Sequence, residues 1–127
     1  MKVQPKMKQP WYLDSGFSRH MTDGKSLFQE LDRNKSGNNV SFGDNSKGVI
    51  RGIGTIGNNS YTQIKNVFLV ILKYNLLSIS QFRDKGYRVS FGAHACHVIN
   101  SNTNQIIYIG KRYENVYVIY IDETVKL

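Results

Sequence analysis

The sequence predicts an all-β fold, a small closed β-barrel with one or two short helices. Three observations carry this reading. Short runs rich in Val, Ile, Tyr and Phe recur along the chain, turn residues separate them, and only Leu76 to Arg83 has convincing helical spacing. At 127 residues, 40% hydrophobic and 12% aromatic, the chain suits one domain with a real core.

Residues 1 to 10, with Pro5, Pro10 and several lysines, read as a flexible linker. Trp11 to Leu13 reads as a short strand ending in the Asp14-Ser15-Gly16 turn. Asp23-Gly24 is a turn, and Ser26 to Leu31 reads as a short helix with Leu27, Phe28 and Leu31 inward. Asp32 to Asn39 is polar and loop-like. Val40 to Phe42 is a strand, followed by a turn over Gly43-Asp44-Asn45-Ser46. Val49 to Ile56 and Tyr61 to Leu72 read as a hairpin around Asn58-Asn59. Leu76 to Arg83 reads as a helix capped by Asn75 and stopped by Gly86. Tyr87 to Phe91, Cys96 to Asn100, Gln105 to Ile109 and Val116 to Ile121 complete the strands. Asn102-Thr103-Asn104 and Lys111 to Asn115 turn between them. The domain is expected over 11 to 122, with 123 to 127 beginning a following segment.

Lys and Arg outnumber Asp and Glu by 17 to 9, a net charge of +8. The cations are scattered rather than clustered. They predict a solvated basic surface capable of weak nucleic-acid contact. A single cysteine, Cys96, excludes an internal disulfide and fits a reducing, intracellular compartment. MKVQPKMKQP lacks the apolar segment of a signal peptide. Val67 to Leu72, the longest aliphatic-aromatic run, is too short to span a bilayer, so no membrane partner is expected.

Several motifs invite chemistry and fail on context. Gly52-Ile53-Gly54-Thr55-Ile56-Gly57 spells GxGxxG, but turn and strand residues follow where a dinucleotide site needs a helix. His94-Ala95-Cys96-His97 has too few further donors for a tetrahedral metal site, and Cys96 reads as a core residue. Ser15 and Ser18 near His20 lack a nucleophile-elbow pattern. Asp14-Ser15-Gly16 remains. A carboxylate at the end of an apolar strand, beside a small hydroxyl and a glycine, suits an aspartic protease as well as a plain turn. That chemistry needs two carboxylates sharing one proton, one to activate water and one to protonate the substrate carbonyl. No second Asp-Ser-Gly or Asp-Thr-Gly occurs, so only a two-fold homodimer could pair Asp14 with its own copy.

Four ordered blocks then carry a resemblance. WYLDSGFSRHMT, VSFGDNSKGVIRGIGTI, NLLSISQFRDKGYRVSF and the closing Cys96-His97-Val98 with Gly110 to Tyr117 resemble the protease-region β-barrel domain of copia-type LTR retrotransposon Pol polyproteins. That domain is similar to retroviral aspartic proteases. The resemblance implies a retropepsin-type barrel and an aspartic endopeptidase that cuts Gag-Pol peptides as a homodimer, without metal or organic cofactor. It implies a cytoplasmic setting within virus-like particles. By it, Asp14 is the catalytic acid, Ser15 braces the loop and Gly16 allows close approach. The Val49 to Ile64 hairpin is the candidate flap, with Gly52, Ile53, Gly54, Thr55 and Ile56 over the substrate. The chain departs from the pattern at Phe17, where Ala or Cys is usual, at Lys73, and in a stretch from Phe68 to Lys73 that reads as one residue short. A phenyl ring is expected to crowd a close-packed dyad, and overpacking costs about 1–3 kcal/mol. The alternative implied by these departures is a catalytically inactive structural or nucleic-acid-binding module.

Overall fold

A computed structural model describes residues 8–42, 46–57 and 63–122. The expected turn at Asn58-Asn59 lies outside these residues, as does most of the turn at Gly43 to Ser46. Among the described residues the strands are β1 (Lys8–Asp14), β2 (Met21–Thr22), β3 (Phe28–Asp32), β4 (Asn39–Ser41), β5 (Lys47–Val49), β6 (Gly52–Ile56), β7 (Ile64–Leu69), β8 (Asn75–Ser78), β9 (Tyr87–Phe91), β10 (Ala95–Asn100), β11 (Ile106–Tyr113) and β12 (Val116–Asp122). One α-helix, α1 (Ile79–Asp84), lies between β8 and β9.

The all-β class is as predicted; the closed barrel is not. Ten strands pair in the order β3-β6-β7-β2-β8-β1-β12-β11-β10-β9, and β4-β5 form a separate pair. The ladder starts at β3 and ends at β9, so among the described residues hydrogen bonds do not close it. The sheet still curls around one core, because Phe28 of β3 and Val98 of β10 share a cluster with Trp11, Val67, Leu77, Phe82 and Ile119. Beside β9 the core is covered by α1 rather than by another ladder. Phe82 is buried there, with its ring 6.0 Å from that of Tyr87.

Local differences from the expected elements have local causes. The helix expected over Ser26 to Leu31 is a 3-10 turn, Lys25–Leu27, running into β3. Phe28 and Leu31 face inward not by helical period but through pairing with β6, with the register shifting between Phe28 and Glu30. The single strand expected from Val49 to Ile56 is broken at Ile50, whose N–H goes to the Asn38 carbonyl (2.7 Å). The helix expected to start at Leu76 starts at Ile79. Asn75 to Ser78 is drawn instead into a parallel ladder with β1, and Ser78 is the cap. Gly86 ends that segment as expected, at φ +91°. The turn expected from Lys111 shrinks to Glu114-Asn115, because β11 runs on to Tyr113. Lys8 to Pro10, read as linker, are paired with β12. Pro10, the third residue of β1, is paired with β12 but lies before Trp11, where pairing with β8 begins, so its missing N–H is tolerated on a stretch with one unladdered edge.

The GxGxxG stretch has a packing explanation. Gly54 lies where β6 crosses β3, and a Cβ there would overlap the Glu30 carbonyl oxygen. Gly54→Ala is expected to part the two strands and destabilise the fold by about 1–3 kcal/mol, read in urea unfolding.

Candidate active site

β1 buries Trp11 and ends on the half-buried Asp14. Its parallel pairing with β8 sets Asp14 opposite Ser78. The chain then turns sharply, because the Gly16 N–H donates to Asp14 Oδ1 at 2.6 Å. This is an Asx-type turn, the local bond that aspartate makes readily two residues ahead of itself. Ser15 and Gly16 are exposed at its tip.

A buried polar network holds the loop after that turn. Ser78 Oγ donates to the Phe17 carbonyl (2.6 Å) and caps α1 by accepting from the Gln81 N–H (3.1 Å). The Ser78 N–H donates to His20 Nδ1 (2.8 Å), and the His20 N–H donates to Gln81 Oε1 (2.7 Å). Gln81 Nε2 donates to the Asn66 carbonyl (3.0 Å), which a register shift in β7 presents from a left-handed residue, φ 60°. Ser78-Ile79-Ser80-Gln81 is thus a capping-box sequence with a substitution of roles. The imidazole of His20, not the Gln81 side chain, accepts from the cap N–H, which frees Gln81 to tie the loop to β7.

Because Nδ1 accepts, the ring of His20 is neutral. Burial, reinforced by the neighbouring Arg19, lowers its pKa to about 3. The unfolded chain has an ordinary imidazole near pH 6.5 and takes up the proton first. Stability is therefore complete above about pH 6.5 and falls as the pH drops toward about 3, by at most roughly 1.4 kcal/mol per pH unit. Urea unfolding across pH 7 to 4 is expected to show this slope. His20→Asn, whose Oδ1 can accept from Ser78 in place of Nδ1, is expected to flatten it.

Asp14 opens into a groove of about 500 Å³ bounded by Phe17, Phe42, Leu72, Lys73, Tyr74 and Leu76. The rings of Phe17 and Phe42 stand 6.4 Å apart on its wall. Phe42 comes from the end of the β4-β5 hairpin, where its N–H donates to the Ser46 carbonyl (2.8 Å). The hairpin sits close because of Gly48, where a Cβ would come within 2.6 Å of Val70 Cγ1 and 2.7 Å of Phe42 Cζ.

The structure brings Asp14, Ser15 and Gly16 together and leaves Gly52 to Ile56 elsewhere. Those five residues form β6, paired on both sides by β3 and β7, with Gly52 and Ile56 buried. A strand with both edges bonded is part of the sheet's body, so it does not overhang Asp14. The segment beside Asp14 is the β4-β5 hairpin instead. Phe17 is half-buried against the small cluster of Met21, Ile50 and Val70, so its ring has a place in the folded chain. In the stretch read as one residue short, Phe68 and Leu69 pair with Met21 and Thr22, and Val70 to Lys73 lie beyond the end of β7. Cys96 is fully buried in the core, and burial pushes its thiol pKa up. His20, Ser78, Gln81 and Phe42 escaped sequence reasoning as site residues. The capping-box spacing of Ser78 and Gln81 was the available signal.

No curated protein and no solved structure matches the chain. Compared with known families, residues 11–87 match one described as Pol polyprotein, beta-barrel domain. The matched segment runs from the first core residue of β1, through the Asp14 loop and its network, to the start of β9. The core continues past it, since Val98, Ile119 and Ile121 pack with Trp11. With more than half of its length matched, the chain belongs to the Pol polyprotein β-barrel domain family.

Proposed function

We propose that this domain is an aspartic endopeptidase of a copia-type Pol polyprotein, working as a homodimer with one Asp14 from each copy. The observation that carries the reading is the placement of Asp14. It ends a strand of the central sheet, on an exposed Ser15-Gly16 tip, at the head of a largely apolar groove. Two such tips meeting about a two-fold axis would set the carboxylates side by side. One would then hold the shared proton while the other takes a proton from water. Ser15 braces the pair, and Gly16 keeps the approach free of side chains. The groove suits an extended peptide, with main-chain hydrogen bonds for affinity and apolar side chains against Phe17, Phe42 and Leu72. In this reading the β4-β5 hairpin takes the covering role first expected of Gly52, Ile53, Gly54, Thr55 and Ile56.

The test is to incubate the full chain with a proteome-derived peptide mixture at mildly acidic pH and read new termini by mass spectrometry, so that no cleavage site need be assumed. A consistent set of cuts supports the reading. An unchanged mixture, with the chain folded and melting cooperatively, would sink it. That second outcome is the one expected of an inactive module, the reading favoured by the Phe17 ring standing within three residues of the carboxylate.

A further inference from the structure

A second groove, of about 320 Å³, lies between the Asp14 loop and α1 and has different chemistry. Arg19, Lys35 and Lys85 line it, together with Phe68 and Asn66. The three cations come from three separate segments of the chain: the Asp14 loop, the loop after β3, and the end of α1. Among the described residues no carboxylate lines the groove. Asp32, opposite Ile53 at its edge, accepts instead from the Asn34 N–H at 3.0 Å. Among the described residues, none of the three cations is in an ion pair. Lys65, exposed on the same irregular turn of β7 as Asn66, adds a fourth positive charge nearby. Arg19 stands over the face of Phe68, its guanidinium carbon 5.9 Å from the ring centroid.

We infer that this groove is a binding site for a single strand of nucleic acid. Converging cations with no carboxylate among the described lining attract a phosphodiester backbone, and releasing its counterions drives binding. An aromatic ring with a guanidinium on its face is a stacking platform for a base, of the kind used by single-strand binders. The site is also concave. A duplex is read by elements that protrude into its grooves, whereas a concave channel admits one strand. An acidic peptide would meet the same charges but would make no use of the Arg19–Phe68 pair. The inference is independent of the protease reading, because none of these residues borders the groove at Asp14.

The test uses the full chain and a fluorescein-labelled oligouridylate, with anisotropy titrations at several salt concentrations. Binding should weaken with salt, with a log–log slope of about −2, the value for three neutralised phosphates on a single strand. The combined change Arg19→Gln, Lys35→Gln, Lys85→Gln should weaken binding by about tenfold or more and remove most of that slope. A control with equal loss of charge, Lys25→Gln, Lys47→Gln, Lys111→Gln, lies outside the groove and should weaken binding less than threefold. All six residues are exposed, so the melts of both variants should match the parent. Asp14→Asn should bind as the parent does. Equal weakening by the two triple variants would overturn the inference in favour of general charge attraction. So would no binding by the parent, or a duplex or polyglutamate competing as well as the single strand.

Discussion

Asparagine at position 14 is expected to abolish peptide cleavage while leaving the fold intact. Asparagine keeps an oxygen where Asp14 Oδ1 accepts from the Gly16 N–H, so the turn survives. It cannot take a proton from water, nor share one with its mate. Loss of a positioned acid–base group typically costs 10²–10⁴-fold in rate, and a dimer of the variant lacks both members. Unfolding midpoints should therefore agree with the parent while cleavage disappears. A variant that unfolds in step with its loss of activity would assign Asp14 a role in the turn alone.

Leucine at position 81 should have the largest effect on stability. Gln81 is fully buried, and its one side chain joins the Asp14 loop to β7. Leucine suits a short helix as well as glutamine does. The change would nevertheless leave the His20 backbone N–H buried and unpaired, at about 1–3 kcal/mol, and would cut the tie to the carbonyl of the exposed Asn66. For a domain whose whole stability is of order 5–15 kcal/mol, that is a large fraction. A lowered urea midpoint and faster amide exchange over residues 15 to 20 are the expected signs. A loss under about 0.5 kcal/mol would mean that the network does not hold the loop.

The strand runs were legible because their local signals agreed with their environment. Tyr87 to Phe91 and Cys96 to Asn100 are bounded by turn residues and became β9 and β10 within a residue. The turn at Asp14 was legible too, because an aspartate followed by Ser-Gly readily accepts from the N–H two residues on. Pairing order was not legible. Nothing local in Asn75 to Ser78 says that β8 will lie parallel to β1, yet that pairing converts the expected helix start into a strand. Nothing in Gly52 to Ile56 says that both of its edges are taken, by β3 and β7. The network was hidden for a related reason. Ser78 and Gln81 carry a familiar cap spacing, but His20, 58 residues away from Ser78, completes it. Burial of a neutral His20 also makes stability fall in the acidic range, because the unfolded chain takes up the proton first.

The central claim is that catalysis needs Asp14 from two copies. Its most direct test is to titrate Asp14→Asn chain into parent chain at fixed total concentration, well above that needed for dimers, and follow peptide cleavage. A shared dyad predicts activity proportional to the square of the parent fraction, because only parent–parent pairs hold both carboxylates. Activity that falls in simple proportion to the parent fraction would contradict the claim, since each copy would then be working alone.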